Sequence, residues 1–219
     1  MSRARALLAR FQRQLESIHA IRADGRVQDF WVSRAFAERV GGPMRAPEEL
    51  LVHQDAQGVS VGLYIDPVVL EPLSRRHPSP LSMLFGELLP QYCVATEGVS
   101  HWLYLQHRAD QDGPVSQLEL EVQAEVDKFA SCALGLWQLG VLELVRHLRA
   151  RLYDGVRYFS HLSADERDRY VTANHLARRY TAFLERRYVR PRDRDGLLRE
   201  LRRSYRLSGG EKYAYLAAA

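Results

Sequence analysis

The sequence predicts an α+β fold, mainly α-helical with a small N-terminal antiparallel β-sheet. Three observations carry that expectation. A β-hairpin pattern precedes residue 66, helix-start signals dominate from there on, and two of those starts are complete capping boxes. The chain has 219 residues, of which 46% are hydrophobic and 26% charged. That composition belongs to a folded protein with room for one sizeable core or two small ones. Few Gly and Pro and no linker composition predict one domain over 1–219, with an α/β part at 1–66 and a helical part at 67–219.

The elements follow in order. Ala4, Leu7, Leu8, Phe11, Leu15 and Ile18 share one face of a first helix. Gln28 to Val32 reads as a short strand. Leu50–His53 and Val59–Ile65 flank Asp55-Ala56-Gln57-Gly58, a hairpin with a loop of about four residues. Asp66-Pro67 and Ser79-Pro80 each offer an N-cap followed by proline at the first helical position. Ser116 with Glu119, and Ser163 with Glu166, are capping boxes, each side chain accepting from the other residue's backbone N–H. Leu118 to Asp127 alternates apolar and polar as a strand would, yet the box and the Leu, Glu and Gln content make it helical. That helix should run from Gln117 towards Leu152 unless Gly135 or Gly140 bends it, with Leu134 and Trp137 buried. Ala133 and Gly140 would form a small-residue row for a close helix approach. The second box opens a helix through about Arg187, and Pro191 closes it.

Charge and cysteine usage bound the environment. Arg146 to Arg206 holds 17 arginines against 8 acids, a local +9, while residues 1–145 carry −5. Such asymmetry suits an anionic partner, although Arg outnumbers Lys 29 to 2 throughout, as base composition alone would produce. Cys93 and Cys132 have no CxxC partner, which excludes a disulfide scaffold and a cysteine-rich zinc module and points to a reducing compartment. The apolar run Ala6–Ala9 is cut by Arg10, too short for a signal-peptide core. The stretch Phe129–Val145 contains Gln138 and Glu143, so it reads as a buried helix rather than a transmembrane segment. A cytoplasmic protein is expected.

Three constellations carry chemistry. Leu207-Ser208-Gly209-Gly210-Glu211-Lys212 resembles the signature motif of ABC-type and SMC-type ATPases. No GxxxxGK[ST] loop accompanies it, and a helix start at Ser208, with Glu211 reaching back, explains the same letters. Glu97 and His101 lie one helical turn apart on a face with Val94 and Leu105, and Glu121 and Glu125 form an i, i+4 pair on the next helix. If the two helices run antiparallel, Glu97, His101, Glu121 and Glu125 offer three carboxylates and an imidazole to iron, manganese or zinc. The competing expectation is a solvated face of Glu121, Glu125 and Lys128, with His101 bonded in the core. Finally, His175, Arg179, Arg186 and Arg190 stay within about 60° of one another at 100° per residue, a stripe for phosphates or nucleic acid. Gly98-Val99-Ser100-His101-Trp102 fails the nucleophile elbow because Trp102 replaces glycine.

With no complete catalytic or cofactor motif, the leading expectation is a non-enzymatic binding or adaptor protein of a bacterial-type cytoplasm, with a protein partner and no cofactor. The alternatives are a metal-dependent helical enzyme using the Glu/His cluster, and nucleic-acid or other anion binding through the Arg-rich C-terminal region.

Overall fold

The computed structural model describes residues 3–56, 58–75, 81–82, 86–158 and 160–219. Among them are ten helices and one two-stranded sheet. Helix α1, Arg3–His19, buries Leu7, Leu8, Phe11, Leu15 and Ile18, the face its sequence marks. Two short helices follow, α2 at Val27–Phe30 and α3 at Arg34–Gly41. The expected strand at 28–32 is therefore a helical turn. The Gln12 side chain dictates this, because Oε1 accepts the Val27 N–H at 2.9 Å and Nε2 donates to the Gly25 carbonyl at 2.9 Å. The segment's end alone reaches the sheet, Trp31 as an isolated bridge to Leu63 and the Val32 N–H donating to the Leu63 carbonyl at 2.9 Å.

Strands β1, Glu48–Asp55, and β2, Gly58–Ile65, pair antiparallel from Glu48–Ile65 to Asp55–Gly58. Two residues, rather than four, therefore lie between the paired ends. Gly58 takes φ +137°, a conformation that side chains rarely adopt. The burial pattern divides the hairpin: Leu63, Tyr64 and Ile65 are inside, while Val52 and Val59 are more than half exposed.

The helical body begins with α4, Pro67–Arg75, whose start is held by Asp66 Oδ1 accepting the Val68 N–H at 3.0 Å. The expected start at Ser79-Pro80 lies outside the described residues. Helix α5 spans Leu89–Ala109 and α6 spans Gln117–Gln138, the latter opening on the complete Ser116–Glu119 box. Gly140, at φ +73°, stops α6 short of the expected Leu152; a 3₁₀ turn at Leu142–Leu144 leads into α7, Val145–Tyr153. Gly140 thus lies beyond the helix and forms no row with Ala133. Leu134 is buried, whereas Trp137 is only half-buried.

Helix α8, Ala164–Leu184, opens on the Ser163–Glu166 box and continues as a π turn at Glu185–Val189. Helices α9, Arg194–Arg206, and α10, Gly209–Ala218, complete the chain. One apolar cluster runs from Leu7 to Leu216 and joins both ends of the chain to α5, α6 and α8. Helix α6 packs between α5 and α8 and is buried around most of its circumference. No described helix is long and apolar enough to cross a membrane.

Candidate metal centre at the α5–α6 interface

Alternation of polar and apolar residues in a helix sends polar groups in every direction, and α6 has little solvent to receive them. Its five polar residues from Glu119 to Asp127 each meet a partner from elsewhere in the fold or within the helix. On one side, Glu121, Glu125 and Lys128 face Glu97 and His101 of α5. Lys128 Nζ lies 2.7 Å from Glu97 Oε2 and 2.9 Å from Glu125 Oε1. His101 Nδ1 is 3.3 Å from Glu48 Oε1, and Nε2 is 3.6 Å from Glu121 Oε2. Arg169 of α8 brings its Nε within 4.0 Å of Glu121 Oε1.

Of the four candidate ligands, the structure gathers three. One donor atom each from Glu97, His101 and Glu121 lies within 4.8 Å of the others. Glu125 borders this group but spends its carboxylate on Lys128. The solvated-face alternative is corrected: Lys128 and Glu121 are buried, because α6 is packed between α5 and α8. His101 is 6% exposed, and its Nε2 is enclosed without a hydrogen-bond partner.

Burial and neighbouring charge set the protonation states. Burial lowers the His101 imidazole, but Glu48 and Glu121 outweigh it and hold the ring well above its ordinary value. Burial raises Glu48, partly opposed by His101. For Glu97 burial also pushes upward, yet Lys128 and then His101 prevail and the carboxyl titrates low. Burial raises Glu125, with Lys128 opposing. The Lys128 ammonium pays for burial too, but Glu125 and Glu97 keep it charged, well above an ordinary lysine.

Glu48 and Arg169 escaped the sequence reading, since they come from a strand and a distant helix that no spacing rule links to His101. Gly98 seats Glu48: a Cβ there would lie 2.7 Å from Glu48 Cγ, so only glycine lets β1 lie this close to α5. Glu48, His101 and Glu121 form the floor of a cleft of about 390 Å³, rimmed by Arg45, His161, Arg169 and Tyr170.

The other side of α6 holds a second polar chain. Asp127 accepts from Ser100 Oγ at 2.6 Å, lies 2.7 Å from His19 Nε2, and accepts from Gln123 Nε2 at 2.8 Å. Ser100 contacts the aspartate rather than the imidazole, so His19 is not placed to activate it. Lys212, from the signature-like string, donates to Gln123 Oε1 at 2.7 Å and is 1% exposed. The Ser208 side chain makes no capping bond; Glu119 Oε1 instead accepts the Gly209 N–H at 2.8 Å. That string is a core-docking segment.

The arginine stripe divides. His175, Arg179, Arg186 and Arg190 are all exposed. Arg190 donates to Glu185 Oε1 at 3.0 Å, and the π turn interrupts the 100° progression that had aligned it with the others. No family model matches the chain, and neither the curated proteins nor the solved structures contain a match.

Proposed function

We propose that this protein binds one divalent cation, iron, manganese or zinc, through Glu97, His101 and Glu121, and presents it at the floor of the adjoining cleft. The observation that carries this reading is the enclosed His101 Nε2, which has only a long 3.6 Å approach to Glu121 and lies within 4.8 Å of donor oxygens from both Glu121 and Glu97. At 3.6 Å that contact is longer than a hydrogen bond, and coordination would replace it with a direct bond. One imidazole among carboxylates suits hard to borderline ions such as manganese, iron and zinc. Bonds of about 2.0–2.2 Å hold the donors on one ion closer than about 4.4 Å, so the set closes slightly around it.

Charge supports the same assignment. Fully ionised, Glu48, Glu97, Glu121 and Glu125 face two permanent cations, Lys128 and Arg169. A divalent ion closes the deficit when His101 ligates in its neutral form, so metal enters as the ring's proton leaves. Glu48 then accepts from Nδ1–H and orients the ring, as carboxylates do behind metal-bound histidines. A cation at the cleft floor would act as a Lewis acid on an oxygen donor entering past Arg169 and Tyr170.

The test is elemental analysis of the full chain after separate incubation with Mn(II), Fe(II) and Zn(II), followed by desalting. Near one equivalent of at least one of the three is expected, lost in His101→Ala and in Glu121→Gln and kept in Glu166→Gln, whose side chain lines the cleft away from the donors. Protein that stays metal-free with all three ions overturns the proposal. It would leave the α5–α6 cluster as a self-neutralised ion network held by Lys128. A non-enzymatic binding protein is the second reading, favoured by the outward valines Val52 and Val59 on the hairpin.

A further inference from the structure

Helices α5 and α6 meet in two rungs, one helical turn apart on each helix. On the first, His101 faces Glu121, with Nε2 3.6 Å from Oε2. On the second, Glu97 and Glu125 converge on a cation that belongs to the chain itself. Lys128 Nζ lies 2.7 Å from Glu97 Oε2 and 2.9 Å from Glu125 Oε1, and the lysine is 7% exposed. Glu97 serves both rungs, since a donor oxygen of its carboxylate also lies within 4.8 Å of donor atoms from His101 and Glu121.

Packing alone does not call for an ammonium here. Helix α6 runs between α5 and α8, and an alkyl side chain would fill the same space without taking a charge out of water. The ammonium is matched to its neighbours instead. It bridges carboxylates from two helices at distances near those of a hard metal ion. Magnesium and calcium bind such oxygens at about 2.0–2.6 Å, so each carboxylate would close by less than about 1 Å to hold one. Charge completes the match. With the ammonium present, a divalent ion on the same rung would set three positive charges against the two carboxylates of Glu97 and Glu125, which a buried site does not sustain.

We propose that Lys128 is a built-in cation that fills a second divalent-metal site, formed by Glu97 and Glu125, and so restricts the α5–α6 interface to a single exchangeable ion. The inference rests on the reading of this interface as a cation site and adds what sets its capacity. The filled site differs from its neighbour in chemistry: it offers carboxylate oxygens and no imidazole, the donor set of hard ions such as manganese, magnesium or calcium. Because the ammonium is covalently part of α6, no chelator empties this position. Lys128→Glu replaces one positive charge with one negative, a change of two units that one divalent ion restores.

The test counts bound metal in the full chain, in Lys128→Gln and in Lys128→Glu, each stripped of metal, equilibrated with Mn(II) and desalted. Both variants should hold one equivalent more than the parent, whatever number the parent holds. Lys128→Gln combined with Glu125→Gln, which removes half of the cradle, should return to the parent's number. Lys128→Glu adds a further carboxylate to the cluster, so its folding should depend on metal: circular dichroism should show helix lost in chelator and recovered in Mn(II). Should Lys128→Glu fail to fold in either condition, the count in Lys128→Gln decides. Equal counts in the parent and in Lys128→Gln overturn the inference, whereas the three-ligand centre stands or falls separately, on whether the parent binds an ion at all. An extra ion that persists once Glu125→Gln is added overturns it too, because that ion sits elsewhere.

Discussion

Lys212 Nζ is enclosed by Gln123 and by Tyr104, whose ring centroid lies 4.3 Å away. Burial draws this amine down to about 7, with Asp127 and Glu119 offsetting part of the effect. An unfolded lysine titrates near about 10.4. Between about 7 and about 10, then, the unfolded chain holds a proton that the folded chain has lost, and stability attributable to this residue rises with pH. Below about 7 both states are protonated and the penalty is constant. Lys212→Met removes the titration, so urea denaturation should show the variant at least as stable as the parent at pH 6 and less stable at pH 10. Parallel pH profiles for the two proteins would contradict the assignment. Legibility at this scale follows distance along the chain. Glu97 with His101, and Glu121 with Glu125, could be read because one helical turn fixes their proximity. Glu48 contacts His101 across 53 residues, and no local period encodes that.

At the scale of the element, α6 shows why its own pattern misled. Strict alternation over Leu118–Asp127 describes a strand with one wet face, or a helix whose polar residues are all met by other elements; the capping box decided for the helix, correctly. The cost is interdependence. Asp127 receives Ser100, Gln123 and His19 together, with Tyr205 stacked on the His19 ring at 3.9 Å. Asp127→Ala should therefore cost about 3–5 kcal/mol, the penalty for stranding buried partners rather than for one lost bond. Chemical denaturation checks it, and a loss under about 1 kcal/mol would show the partners finding water instead. Boundaries were less readable than identities. Gly140 ended α6 early because its positive φ stops the helix, and the turn at Val27–Phe30 formed because a glutamine fifteen residues earlier bonds its backbone.

Across the whole molecule, the fold class was legible because hairpin and capping signals are local, and because one apolar cluster can join segments whose patterns agree. The charge distribution was legible only as a sum. The sequence shows a basic C-terminal region, but the structure adds what it cannot: Arg179 and Arg190 are both exposed, and Arg190 also pairs with the buried Glu185. The structure also brings Arg10, from the other end of the chain, into one groove with Arg194 and Arg202.

Arginines outnumber lysines 29 to 2 in this chain, and both lysines lie inside it, Lys128 at 7% exposure and Lys212 at 1%. An acylating reagent aimed at side-chain amines consequently finds none on the native surface. Lys128 is further protected by its proton, whereas Lys212 is a competent nucleophile at neutral pH that is shielded only by packing. Modification at Lys212 should then track the opening of α10, and modification at Lys128 the parting of α5 from α6. Peptide mapping after a short pulse of an N-hydroxysuccinimide ester should find both unlabelled in native protein and both labelled in urea. In mild denaturant Lys212 should react before Lys128; equal labelling of native and unfolded chains would refute this. The chain thus carries two native chemical clocks, one at its closing helix and one at its centre.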